Sequence, residues 1–551
     1  MRHNQRTERQ ASPWHPTHLV WVLALWLGTV GNIPLWRQLW QLPGTQTTRG
    51  LLGALALAGV LIVFTGVVLS LLVWPRWLKP AGLLLLTTAT AASYFMWTYG
   101  VVIDPTMLVN TLNTDAREAL DLLSWKMLPT LLLGVVLPGW WWWRQPVQRR
   151  GWGPVLKRQL GLVLLGLVCM AALLWFAFQD LASTMRNHKS LRYTINPFNT
   201  VYALTRVAVG RADQAQQPLQ AIGLDSALRH QPASPDLAPL IVLVVGETAR
   251  AANFGLAGYA RDTTPELQKL QKQGEVVYYP QVTSCGTNTQ VSVPCMFSHL
   301  GRVEHTSTNN RYETALDVLQ RAGLAVLWLD NQSGCKGVCD RVPHADTRAL
   351  THAEHCTGGE CLDKVMLAEL PHQLAQLDAQ RRAQGTVVVL HQMGNHGPAY
   401  YKRSPANQKP FQPECTTNVL QDCAPAHIVN AYDNAIRYTD SFLSDTIAWL
   451  KTQNRPTALV YVSDHGESLG EKGLYLHGMP FSMAPQEQTH VPMVTWLGGA
   501  WKGAMGCVRQ RSEQALTHDH YFHTVLGLAG VHSREYQPAM DLLGPCVHPG
   551  N

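Results

Sequence analysis

Five stretches of nearly uninterrupted apolar residues occupy the front third of the chain: 19–36, 50–74, 81–103, 127–143 and 159–178. Crossing about 30 Å of hydrocarbon as a helix takes about 20 such residues. A bilayer satisfies five stretches of this length because a helix pairs its own backbone groups there. A disordered chain, a small disulfide scaffold and a purely soluble enzyme are excluded. The second and third stretches contain no Lys or Arg. The fourth is the shortest, holds Pro129 and Pro138, and ends in Trp140 to Trp143, a cluster suited to the membrane–water boundary. The first sits where a signal peptide would. Further spans follow it and no small-residue cleavage site is evident, so it is read as a helix.

Composition matters for orientation. The 551 residues carry a formal net charge of +7, and residues 1–180 hold 14 of the 44 Lys/Arg but 6 of the 37 Asp/Glu. The surplus is therefore +8 in the front third and −1 after it, which removes the case for nucleic acid as partner. With a cytoplasmic N-terminus, that face holds Arg2, Arg6, Arg9, Arg76, Lys79, Arg144, Arg149, Arg150, Lys157 and Arg158. The opposite face holds only Arg37, Arg49, Arg117 and Lys126. This positive-inside bias predicts five spans with everything after residue 178 outside. Cysteine usage agrees. Ten of the eleven Cys fall after residue 284 as 285/295, 335/339, 356/361, 415/423 and 507/546, which reads as disulfides of an oxidising compartment.

Residues 179–236 are polar and mixed and read as an interfacial helix or two followed by a linker. From 237 to 551 strands alternate with helices. The runs 239–247, 323–331, 385–393 and 456–466 are short, apolar and β-branched, as strands buried on both faces of a parallel sheet are. Helical patterns at 311–322, 361–380 and 427–452 lie between them. The fold class is α/β: a five-helix transmembrane domain over 1–178, the interfacial linker, then a soluble α/β sandwich.

Each strand end delivers groups that bind metal. Glu247 follows the first strand, His391, Asn395 and His396 the third, Asp464 and His465 the fourth. Ligands of open α/β sheets bind outside the carboxyl ends of the strands, and converging carboxylates and imidazoles suit Zn²⁺. The segment SCGTNTQVSVPCMFS (284–298) offers Thr287, Thr289 and Ser292 as nucleophiles. A hydroxyl at a helix start meets the unpaired N–H groups that favour a phosphate, and a metal beside it activates it. Spacing does not choose among the three. The sequence SVPCMF lacks the Arg that a formylglycine sulfatase motif needs.

The segments VVGETAR, SCGTNTQVSVPCMFS, HQMGNHGPAYY, NAYDNAIRYTD, YVSDHGESLGEKGLYLHGMP and IDPTMLVNTLNTDAREA resemble those of the lipid A phosphoethanolamine transferases, the family that includes the mobile colistin-resistance enzymes. The resemblance spans essentially the whole chain and implies an alkaline-phosphatase-like catalytic domain in the periplasm of a bacterial inner-membrane protein, expected to be a monomer. It implies Glu247, Thr289, Asp464 and His465 as zinc ligands, with Thr289 the nucleophile. His396 and His477 match substrate or second-metal histidines with catalytic roles, and Ser333, Lys336 and Glu467 lie in matching motifs. Asn110, Thr114 and Glu118, four residues apart and so on one helical face, match residues that bind the lipid headgroup. The implied reaction moves phosphoethanolamine from phosphatidylethanolamine to a lipid A phosphate through a phospho-threonine, conferring polymyxin (colistin) resistance. The alternatives, a transferase acting on lipopolysaccharide core sugars or a phosphoglycerol transferase, share the site and differ in acceptor or donor.

Overall fold

Residues 13–72, 76–113, 116–148, 152–188, 190–348, 350–357 and 360–548 of the computed structural model are described. Contacts divide the chain into two units, Met1–Pro105 with Leu123–Arg206 and Thr106–Leu122 with Val207–Asn551.

The first unit is helical. Among the described residues, three helices are long and apolar enough to cross a membrane: Pro16–Trp40, Thr48–Leu72 and Val155–Asn187. Thr48–Leu72, at 25 residues, is about 37 Å long at ~1.5 Å per residue. A further helix, Leu78–Tyr99, covers the expected third stretch up to a left-handed Gly100, leaving 101–103 outside it; its Thr87, Thr88, Thr90 and Ser93 make it less apolar. The fourth stretch is interrupted. Leu137 N–H donates to Leu132 O, five residues back, across the π turn Leu132–Val136, immediately before Pro138, which has no N–H to continue the α pattern. Leu19, Leu23, Leu27, Leu69, Leu86 and Trp142 pack together, while Val168, Trp175, Phe176 and Phe178 stand exposed on the last long helix. Such an apolar outer face is what a lipid-facing helix presents.

The second unit is built on a seven-stranded sheet. In chain order its strands are β1 (Leu240–Gly246), β2 (Val276–Tyr279), β3 (Ala325–Asp330), β4 (His344–Asp346), β5 (Thr386–His391), β6 (Thr457–Ser463) and β7 (Met493–Gly498). Their order across the sheet is β2-β7-β6-β1-β5-β3-β4. The four apolar runs read from sequence are β1, β3, β5 and β6, mutually parallel and buried along their whole length. The sheet is not wholly parallel, a correction to the expectation: β7 runs antiparallel to both β6 and β2. Helices Ala315–Arg321, Lys364–Gln376 and Pro425–Lys451 fall on the three helical patterns. The first begins on a capping box: Thr314 N–H and Oγ1 donate to Asp317 Oδ2 at 2.7 and 2.9 Å, satisfying donors a helix start leaves unpaired. All five expected cysteine pairs are disulfides, four of them close in sequence, and Cys169 is free.

Candidate active site

Three parallel neighbours end in register. Val245 of β1 lies opposite His391 of β5 and Val462 of β6, and Gly246 lies opposite Ser463. The residues that follow β1 and β6, Glu247 and Asp464–His465, therefore leave the sheet side by side at its carboxyl edge. Thr289 arrives from elsewhere as the first residue of helix Thr289–Met296, capped by the Asn288 side chain. The turn before it is tied down at every residue. Cys285 N–H donates to His518 Nδ1 (3.1 Å), Gly286 N–H to Ser292 Oγ (2.8 Å) and Thr287 Oγ1 to Met479 O (2.7 Å). The Cys285–Cys295 disulfide closes the loop, so Cys295 is not the free thiol from which a formylglycine is made.

Thr289 Oγ1 donates to Glu247 Oε2 at 3.0 Å and lies 3.4 Å from His465 Nε2. That nitrogen is 3.4 Å from Glu247 Oε1 and 3.3 Å from Asp464 Oδ2. All four residues are buried. Backbone bonds turn the donor atoms inward. Asp464 Oδ1 accepts from Thr248 N–H and His465 N–H, and His465 Nδ1 bonds Gly466 O at 2.9 Å, which leaves Nε2 as the lone-pair nitrogen. Glu247 Oε1 and Asp464 Oδ2 accept no hydrogen bond. Burial raises the Glu247 carboxyl, and burial together with the Glu247 charge pushes Asp464 up to about 7. Two such carboxylates stay ionised together only beside a cation. One ligand atom from each of Glu247, Asp464 and His465 lies within 4.8 Å of the others, a donor set that fits Zn²⁺.

A second group of side chains faces this cluster. The His477 ring stacks obliquely on His465 at 4.4 Å and meets His396 edge-on at 5.7 Å. His477 Nδ1 bonds Glu467 Oε2 at 2.8 Å, and Tyr400 OH donates to Glu467 Oε1 at 2.5 Å. Burial alone would lower His477, but Glu467 overrides it and pushes it up to about 9. Burial and the His477 charge hold His396 well below the usual histidine value. Lys336 Nζ donates to Ser333 Oγ at 2.7 Å, and its charge reaches both Glu247 and His396. Asn110 sits on helix Pro105–Asn113 and Glu118 on helix Ala116–Asp121. Thr114 and the Glu118 side chain lie outside the described residues.

Residues 61–212 match the family model for phosphoethanolamine transferases EptA/EptB, and residues 239–531 match the sulfatase family. The chain is 38% identical to phosphoethanolamine transferase EptA of Escherichia coli K12, over 96% of this chain and 97% of that protein. It is 38% identical to phosphatidylethanolamine transferase Mcr-1 of Escherichia coli, over 94% and 95%. In structure it resembles the integral membrane lipooligosaccharide phosphoethanolamine transferase A of Neisseria meningitidis, with a TM-score of 0.91 at 35% identity, covering 97% of this chain and 99% of that one. The chain belongs to the EptA/Mcr-type phosphoethanolamine transferases.

The transferase holds its site in place with residues that the sequence does not flag. Buried Asp363 accepts from Met393 N–H (2.8 Å), Gly394 N–H (3.0 Å) and Asn331 Nδ2 (2.8 Å), pinning the loop that leads to His396. Gly394 has φ +51, and a Cβ there would lie 2.7 Å from Glu247 O, so only glycine lets that loop pass behind the Glu247 backbone. Asp330 Oδ1 accepts from Gln332 N–H and Gly334 N–H, shaping the loop of Ser333 and Lys336, while its Oδ2 holds His391 at 3.0 Å. Arg250 donates to Glu467 O at 3.1 Å. Strand-end placement was the available signal for Asp330; nothing local marks Asp363 or Tyr400.

Proposed function

We propose that this transferase moves phosphoethanolamine from phosphatidylethanolamine to a phosphate of lipid A by way of a phospho-threonine at Thr289. The observation that carries this reading is the Thr289 hydroxyl, 3.0 Å from Glu247 and 3.4 Å from His465, at a helix start where N–H groups receive phosphate. Glu247, Thr289, Asp464 and His465 would hold Zn²⁺. When bound, it supplies the positive charge that lets the hydroxyl lose its proton at neutral pH and that offsets phosphoryl charge.

The remaining roles belong to side chains of the protein. Glu247 Oε2, accepting the hydroxyl hydrogen, aims a Thr289 lone pair away from the carboxylate. In the first half, Thr289 Oγ1 bonds to phosphorus and the bond to the diacylglycerol oxygen breaks. His477, kept protonated by Glu467, gives that oxygen its proton; His396, kept neutral, is the ring able to take one up. In the second half, a lipid A phosphate oxygen bonds to the same phosphorus and passes its proton to His477, while the bond to Thr289 Oγ1 breaks and that oxygen takes back the proton held by His396. Lys336, Ser333, Asn110, Thr114 and Glu118 contact the headgroup.

Residues 1–178 form the anchor with five spans and a cytoplasmic N-terminus in the bacterial inner membrane, 179–236 the interfacial linker, and 237–551 the periplasmic catalytic domain of a monomer. Lipid donor and lipid acceptor explain why the enzyme is membrane-embedded. The added amine offsets phosphate charge on lipid A and weakens its attraction for cationic polymyxins. The test incubates purified protein with labelled phosphatidylethanolamine, with and without chelator and lipid A, and identifies the products. Thr289→Ala should abolish transfer; undiminished transfer by that variant would overturn the assignment.

A further inference from the structure

The segment Thr106–Leu122 lies in the chain between apolar helices, yet its contacts group it with the catalytic residues. It touches them beside three different residues of the site. Asn113 Nδ2 donates to Gln290 Oε1 at 2.6 Å, one residue after Thr289. Met107 packs on Gly478, one residue after His477; there φ is +89 and a Cβ would lie 2.9 Å from Met107 Sδ. Asp121 Oδ1 accepts from Lys402 Nζ at 2.8 Å and Asn418 Nδ2 at 3.1 Å, and Asp121 Oδ2 faces Arg403 at 3.6 Å. Arg403 in turn donates Nε to the carbonyl of His396 at 3.0 Å. The same two cations hold Glu360 at 3.2 and 3.1 Å, on the hairpin closed by Cys356–Cys361.

Two carboxylates and two cations thus form a neutral cluster. The Asp121 and Arg403 side chains in it are 13% and 6% exposed, so solvent screens the pairing weakly. Of the three contacts, Asp121 makes the charged one, and charge-assisted hydrogen bonds are the stronger kind. We infer that Asp121 is a positioning residue that docks the segment carrying Asn110, Thr114 and Glu118 onto the catalytic face through Lys402 and Arg403, setting it against the His396 loop. This rests on the reading that the segment binds the phosphatidylethanolamine headgroup. Docking of this kind governs how the lipid donor is held and leaves the bond-making at Thr289 alone.

The test uses the full chain in detergent micelles, with the wild type, Asp121→Ala, the near-isosteric Asp121→Asn and the charge-preserving Asp121→Glu. Both charge-removing variants should raise KM for phosphatidylethanolamine about tenfold, the equivalent of about 1.4 kcal/mol. Their kcat should stay within about twofold and their zinc content should be unchanged. Asp121→Glu should restore KM. Hydrogen exchange should speed up in peptides covering 106–122 in the same two variants, a readout that needs no substrate. Unchanged KM and unchanged exchange, or a fall in kcat that follows loss of zinc or of thermal stability, would overturn the proposal. A wild type that transfers nothing from phosphatidylethanolamine while the exchange difference persists would instead overturn the headgroup reading.

Discussion

Replacing Tyr400 with Phe removes one oxygen from the path between the catalytic core and His477. The ring is buried and lies edge-on to Tyr432 at 5.4 Å, so the phenyl group keeps its place and no cavity opens. Burial and the neighbouring Glu467 hold the hydroxyl far above the ordinary tyrosine value, so it donates to Glu467 at every working pH. A hydrogen bond to a buried charged group is worth about 1.5–3 kcal/mol. The catalytic unit comprises Thr106–Leu122 and Val207–Asn551; at ~2.1 cal/mol/K per residue, that loss lowers its Tm by about 2–4 °C. Glu467, left with His477 as its side-chain donor at 2.8 Å, then pulls harder on the imidazolium proton. If about 1.4 kcal/mol of this is felt in the transition state, kcat/KM for transfer falls about tenfold. Zinc content should not move, because neither Tyr400 nor Glu467 contributes an atom to the Glu247–Asp464–His465 cluster. The assay pairs transfer kinetics with differential scanning fluorimetry and metal analysis. Wild-type kinetics with a wild-type Tm, or a loss of zinc, would refute the chain of contacts from Tyr400 to His477.

Glu247→Gln exchanges an anionic oxygen of the proposed ligand set for an amide and should weaken zinc binding by at least about 100-fold, since even partners of ligands are worth 10–100-fold; wild-type affinity in chelator competition would remove Glu247 from that set. Removing the Cys507–Cys546 disulfide, which spans 39 residues, should cost about 4 kcal/mol by loop entropy, against about 2 for Cys335–Cys339; equal shifts in Tm would argue that both act on local geometry alone. Asp317→Asn should destabilise by about 1–3 kcal/mol at neutral pH, because Arg341 and Thr314 hold this carboxyl below its ordinary value despite burial. A depressed carboxyl contributes stability above its unfolded value of about 3.9 and loses it as pH falls through the folded value. The wild-type advantage should therefore be flat from about pH 5 to 8 and close below about pH 4; an advantage that widens on acidification would contradict it.

The parts of this fold legible from sequence are those where one physical demand acts on consecutive residues. Strands β1, β3, β5 and β6 are buried on both faces, so each is a continuous apolar run, and their ends announce Glu247, His391, Asp464 and His465. Strand β7 is also apolar and buried, but its direction is set by how the chain returns from Ser463 to Met493, and no residue in MVTWLG encodes that. The same divide runs through the site. Thr287 lies just before a capped helix start and Thr289 and Ser292 in its first turn, and only the side-chain contacts single out Thr289, whose partners Glu247 and His465 are 42 and 176 residues away. Asp363, Tyr400 and Arg403 act on the site through partners brought close by the sheet, so their local sequence looks ordinary. Thr106–Leu122 is the extreme case. Flanked by apolar helices, it reads as a connector of the anchor, yet its acidic end closes an ion cluster with Lys402 and Arg403, 281 residues on in the first case. An aspartate at a helix end has a complete local explanation as a solvated residue. Its second role follows only from the cations that the catalytic fold sets opposite it, and for that reason Asp121 tests the tertiary assignment more sharply than any residue of the Glu247–Asp464–His465 cluster.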